Sequence, residues 1–235
     1  MSKLFLEMRK DLRHRSTKKH REGALRYFKE EINPYGVRHS DMKELVSKYT
    51  PTVKKMGIKR FTPIAERMFE EGWFEEGNLA IKLMEKLKNK FDDDTFKLFD
   101  RWVDKYVTNW AHCDGFSAWL VGSLIENKPE LAGDVLKWTR SPNRWKRRAA
   151  AVSFVVHAKH GRFMDYIFLV SEAMLRDSDD MVQKGVGWLL KESTKSNQKE
   201  VVEFIRQRKH KMPRTMLRYA IEKLSPELKR ELMKP

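Results

Sequence analysis

Cysteine is nearly absent: Cys113 stands alone in 235 residues. The chain can therefore close no internal disulfide and assemble no thiolate set for zinc, and a reducing compartment is its expected setting. Glycine and proline are scarce, at 11 and 8 residues, and strand-like alternation of β-branched residues is missing almost everywhere. This argues against a β-rich fold. No run approaches eighteen apolar residues, so no membrane span is expected. The opening MSKLFLEMRKDLRHRS passes from a short apolar patch straight into charges and does not read as a secretory signal. Acid is the last deficit. Asp and Glu number 33 against 49 Lys and Arg, a formal charge of +16. That excess favours a polyanionic partner, nucleic acid first and an anionic membrane surface second.

What is present is helical spacing. Phe163, Ile167, Val170 and Met174 form one stripe, and Leu79, Leu83, Met84 and Leu87 another. Breaks are expected at NPYG (33–36), EEG (75–77), ENKPE (126–130), RSPN (140–143), KSNQ (195–198) and KMPR (211–214). The segments between them have ordinary helix length, so the chain reads as all-α.

The segments also repeat. NLAIK (78–82), DGFSA (114–118), RAAAV (148–152), KGVGW (184–188) and RYAIE (218–222) begin 36, 34, 36 and 34 residues apart. Each opens on a polar or charged residue followed by small ones, which let neighbouring helices approach. A period of this size predicts stacked helical pairs: one α-solenoid domain of HEAT-like repeats over residues 1–235, with residues 1–20 as a basic helix or extension, curved around a basic concave groove.

Equivalent positions in a solenoid lie side by side. Asn78, Asp114, Arg148, Lys184 and Arg218 would form a ridge, with Asp114 beside Arg148. Trp188 falls one turn beyond Lys184, on the same face. Trp110 sits at the rim. A lone carboxylate and two indoles thus meet within a cationic groove. Arg144, Lys146, Arg147, Lys184, Arg214 and Arg218 are candidate phosphate contacts. Each residue also has an ordinary reading. Asp114 suits an N-cap of the GFSAWLVGSL helix. The two indoles could be core, as Trp73, Trp119 and Trp138 are expected to be, and the run around Arg148 could be a solvated face. Cys113 is expected to be a small buried apolar residue.

WAHCD (110–114), SPNRWKRRAAAV (141–152) and VQKGVGWLLKE (182–192), with RYFKEE (26–31), resemble the AlkD-like DNA glycosylases of the DNA alkylation repair family over residues 20–210. The resemblance implies a HEAT-like fold and excision of cationic N3- and N7-alkylpurines from duplex DNA without cofactor or metal. It casts Asp114 as the catalytic carboxylate, Arg148 as its essential neighbour, Trp110 and Trp188 as lesion-flanking indoles, and Tyr27 as a further aromatic contact. A monomer in the cytoplasm, held at the nucleoid by DNA, is the expected state.

The chemistry agrees with the inventory. Most glycoside hydrolysis needs two carboxylates, one protonating the leaving group. A cationic purine leaves neutral and needs no acid, so one ionised carboxylate to steady the sugar suffices. Arg148 is expected to keep Asp114 ionised. The runner-up function is a non-catalytic HEAT-like protein that binds damaged or branched DNA.

Overall fold

The computed structural model describes residues 2–234. Helix follows helix: α1 (Lys3–His14), α2 (Lys18–Tyr27), α3 (His39–Glu70), α4 (Phe74–Glu85), α5 (Asp93–Tyr106), α6 (Trp110–Gly115) and, after a π-helical turn at Phe116–Val121, α7 (Gly122–Asn127). The chain continues through α8 (Ala132–Lys137), α9 (Arg144–Val152), α10 (Val155–Ala158), α11 (Met164–Ala173), α12 (Asp180–Arg208), α13 (Arg214–Ala220) and α14 (Pro226–Met233). Among the described residues, β-type pairing is limited to isolated bridges, Ser16 with Val37 and Asn33 with Trp73.

Local sequence sets the helix ends. Asp92 and Thr95 close a reciprocal capping box on α5, whose Leu98, Phe99, Trp102 and Val103 face the core. In α1, Phe5, Met8 and Leu12 recur at helical spacing and are fully buried against α3 and α4. Each such side chain contributes roughly 1.5–3 kcal/mol on burial. The basic start of the chain is therefore packed into the core along one face. Arg9 secures it, donating from Nε and Nη2 to the two oxygens of Glu76 at 2.8 and 3.0 Å.

Two expected breaks are displaced. Residues 75–77 open α4, because buried Glu75 and Glu76 lie in a first turn whose dipole favours acid. The chain reverses instead at Gly72, with φ 73°. KSNQ does not end a helix; it holds a kink within α12 at Asn197 (φ −129°, ψ 48°). Phe163 departs from its stripe, capping α11 in a left-handed conformation, whereas Ile167, Val170 and Met174 are buried.

Several side-chain hydrogen bonds between elements recur at similar offsets in the chain. Trp102 Nε1 donates to Glu66, Trp138 Nε1 to Asp100 and Arg162 to Glu126; His157 Nε2 bonds the Gly122 carbonyl. These partners lie 35 to 38 residues apart. These four bonds tie elements to ones that precede them by a similar length of chain.

Candidate active site

Helix α6 is short because Asn109 starts it and the wider π turn takes over after Gly115. The Asn109 side chain accepts the backbone N–H of His112 at 2.9 Å. Inward-facing His112 is buried, its Nε2 2.9 Å from the Phe74 carbonyl and its ring stacked on Phe74 at 5.1 Å. Only a glycine at 77 leaves room for that ring, since a Cβ there would come within 2.6 Å of it. Burial lowers the His112 pKa to about 4, so the ring is neutral at physiological pH. Cys113 is fully buried, as expected, and burial pushes its thiol up to about 12. This is an inert, packed cysteine.

Asp114 does not cap a helix. The backbone is right-handed helical on through Gly115 (φ −63°, ψ −44°) and Phe116, and the cap belongs to Asn109, five residues earlier. The Asp114 carboxylate instead faces Arg148 of α9, which donates from Nε to Oδ1 at 2.8 Å and from Nη2 to Oδ2 at 2.9 Å. This is the fork-to-fork geometry that only arginine offers. The remaining Nη1 donates to the Met181 carbonyl at the start of α12, so one guanidinium joins three helices. Gly185 makes this possible: a Cβ there would lie 3.2 Å from Arg148 Cγ. Arg148 is hence no solvated face; its side chain is 6% exposed, while that of Asp114 keeps 20%.

The electrostatic expectation for this pair needs correcting. Arg148 does pull the Asp114 pKa down, but desolvation is the larger effect, and the net direction is upward from 3.8. The carboxylate is oriented by its arginine and held at raised free energy by its burial.

That exposed edge opens into a cavity of about 420 Å³ lined by Asp114 and Arg148, by Trp110, Trp188, Tyr27 and Tyr219, and by Lys29, Lys184 and Lys191. A second cavity of about 460 Å³ adjoins it and shares Trp110, Asp114 and Trp188. Trp110 and Trp188 are half-buried. Trp110 stacks on Phe28 at 5.0 Å and meets Tyr27 edge-on at 5.8 Å; Tyr27 is 72% exposed. The structure thus brings Asp114, Arg148, Trp110, Trp188, Tyr27 and Lys184 to one place.

The other basic candidates sit elsewhere. Lys146 lies between Asp100 and Asp104 at 2.8 and 2.7 Å, Arg147 pairs with Asp177 at 2.6 Å, and Arg144 with Asp179 at 3.2 Å. None of the three lines either cavity. Arg214 and Arg218 are exposed, the former donating to the Met233 carbonyl at 3.3 Å. Trp138 is buried and Trp73 half-buried against Tyr35, but Trp119, expected in the core, is 42% exposed. Phe28 was missed by sequence reasoning, though it adjoins Tyr27 in the RYFKEE stretch. Among the described residues no three His, Cys, Asp or Glu gather as metal ligands. No helix among them is long and apolar enough to cross a membrane.

Fold and site together define an all-helical protein with an arginine-clamped carboxylate at the wall of an aromatic, cation-rimmed cleft. The chain belongs to the DNA alkylation repair enzyme family, whose model matches residues 8–224. A solved structure described as a predicted DNA alkylation repair enzyme from Enterococcus faecalis is similar, with a TM-score of 0.80 at 17% identity, covering 90% of this chain and 98% of that one. At that identity the likeness concerns the fold. No curated protein matches the chain.

Proposed function

We propose that the protein is a monofunctional DNA glycosylase that hydrolyses the N-glycosidic bond of cationic alkylpurines such as 3-methyladenine and 7-methylguanine in duplex DNA, for base excision repair. The observation that carries this reading is the bidentate Asp114–Arg148 pair opening between Trp110 and Trp188. The recurrent 35–38-residue ties between elements support a HEAT-like solenoid, and the lysines around the cavity support a basic concave groove along it. The chain would act as a monomer on nucleoid DNA in the cytoplasm.

In this mechanism the Trp110 and Trp188 faces attract the positively charged base, each worth roughly 0.5–2 kcal/mol, and discriminate against neutral purines. The C–N bond breaks with its electron pair leaving on the purine, which thereby becomes neutral. Positive charge develops on the sugar, and the Asp114 carboxylate stabilises it and aligns the water whose oxygen bonds the anomeric carbon, one proton passing to solvent. Burial strengthens this effect, because a carboxylate deprived of water gains more from a new cation beside it. Arg148 fixes the carboxylate by donating to both of its oxygens. No lysine is required for a Schiff base, so no strand cleavage follows. Tyr27 closes the aromatic wall, while Lys184, Arg214 and Arg218 hold phosphates.

Base release from methylated duplex DNA is the test. Wild type should liberate 3-methyladenine or 7-methylguanine without cofactor. Asp114→Asn should lower the rate by at least a hundredfold while duplex affinity stays within about threefold. Undiminished release by Asp114→Asn, or none by wild type despite tight binding, would replace this reading with a non-catalytic binder of damaged or branched DNA.

A further inference from the structure

A further cavity lies outside the Asp114 cleft. It measures about 700 Å³ and is walled by α3 and α4, with Trp119 on the π turn beyond Asp114. Its charged lining is Lys43, Lys82, Lys86 and one acid, Glu85. Glu85 is already engaged by Lys86 at 2.7 Å and Lys88 at 3.8 Å. Lys82 sits over the Trp119 ring, 4.2 Å from its centroid, and forms no ion pair or hydrogen bond among the described residues. Burial, with Lys86 next, pulls its pKa down, and the charge of Glu85 opposes this without reversing it. Trp119 itself leaves 42% of its surface exposed. A Cβ on Gly115 would come within 3.3 Å of the indole, so the absence of a side chain there admits the ring. The cavity thus sets an exposed indole beside three lysines whose one neighbouring acid, Glu85, is already shared between Lys86 and Lys88.

Lys82 and Trp119 also line the cavity that holds Asp114, Trp110 and Trp188, so the two sites share one continuous wall. From this geometry we infer that the Trp119 cavity is a second DNA subsite, in which an unstacked base lies against Trp119 and its phosphate is held by Lys43, Lys82 and Lys86. The inference rests on the DNA-binding reading above and assigns the cleft beside the lesion site to a nucleotide displaced from the stack. The ligand class follows from the lining: a π-face for any base, and a net excess of cations for its phosphate.

Fluorescence anisotropy with two labelled duplexes separates the possibilities, one fully paired and one carrying a single unpaired thymidine. Wild type should prefer the second about tenfold, the order of one base–aromatic stack. Trp119→Ala should erase that preference while changing paired-duplex affinity less than twofold; Trp119→Phe, which keeps a ring, should retain part of it. Lys43→Gln should lower affinity for both duplexes and reduce the salt slope by about one. A preference that survives Trp119→Ala but disappears in Trp188→Ala places the unpaired base at the Asp114 cleft and overturns the inference. So does absence of any preference, or deoxythymidine monophosphate binding as tightly as the DNA. Failure to bind even paired duplex would instead remove the proposed function.

Discussion

At the scale of single residues, the site is two opposed forces on one carboxylate. Burial lifts the Asp114 pKa, and Arg148 restrains the rise. If the ionised form carries the chemistry, activity is lost as pH falls through that raised value. The acid limb of single-turnover base release should therefore have its midpoint above the ordinary 3.8. Arg148→Gln removes the restraining cation, so the midpoint should move higher still, whatever happens to the maximal rate. A midpoint at or below the ordinary value would contradict the desolvation described above. The placing of Asp114 and Arg148 was legible because they stand 34 residues apart, the spacing at which segments opening on a polar residue and followed by small ones recur in the sequence. The fate of Arg144, Lys146 and Arg147 was not. Their acidic partners come from remote parts of the chain, Asp104 on α5 lying 42 residues before Lys146 and Asp177, between α11 and α12, lying 30 after Arg147. A cationic run carries no sign of the carboxylates that later neutralise it.

At the scale of elements, the arrangement depends on close approaches that particular residues permit. Glu75, in the first turn of α4, accepts the backbone N–H groups of Tyr35, Gly36 and Val37 at 2.7, 2.8 and 3.0 Å. It thereby fixes the stretch leading from α2 into α3. Glu75→Ala strands these donors, and at ~1–3 kcal/mol for each unsatisfied group urea denaturation should show a loss of about 3 kcal/mol or more. A loss below 1 kcal/mol would mean that water replaces the clamp. This feature explains the misplaced break at 75–77. Two adjacent glutamates and a glycine look like a solvated turn, and only the folded chain reveals that both acids are buried with partners. The KSNQ kink has a similar cause: polar residues there predict a loop, yet Val201, Val202 and Ile205 beyond it carry the apolar face onward. Helix content and register, by contrast, were plain, since apolar periodicity is a local property.

At the scale of the whole molecule, the charge of +16 is unevenly available. Some cations are committed to intramolecular pairs, and others face solvent. Duplex affinity should fall linearly with the logarithm of salt concentration, and each free cation that meets a phosphate should contribute about −0.9 to the slope. Arg218→Gln should reduce the slope by about one. Lys146→Gln should leave it unchanged, because Asp100 and Asp104 already hold that ammonium. Equal effects of the two substitutions, measured by anisotropy across a salt series, would refute this division. The basic composition announced a polyanionic partner; only three-dimensional pairing decides which lysines and arginines are left to greet it.

Helix α2 brings Tyr27 to the cleft yet buries none of its own residues. It is tethered at its ends, by the Thr17 N–H to the Gly36 carbonyl at 3.0 Å and by Phe28 against Trp110. Such a segment has little to lose by detaching, so its opening free energy sits far below that of the core. The entrance to the cleft can thus melt and re-form while the scaffold stays folded, and gentle warming would blunt recognition well before the protein denatures.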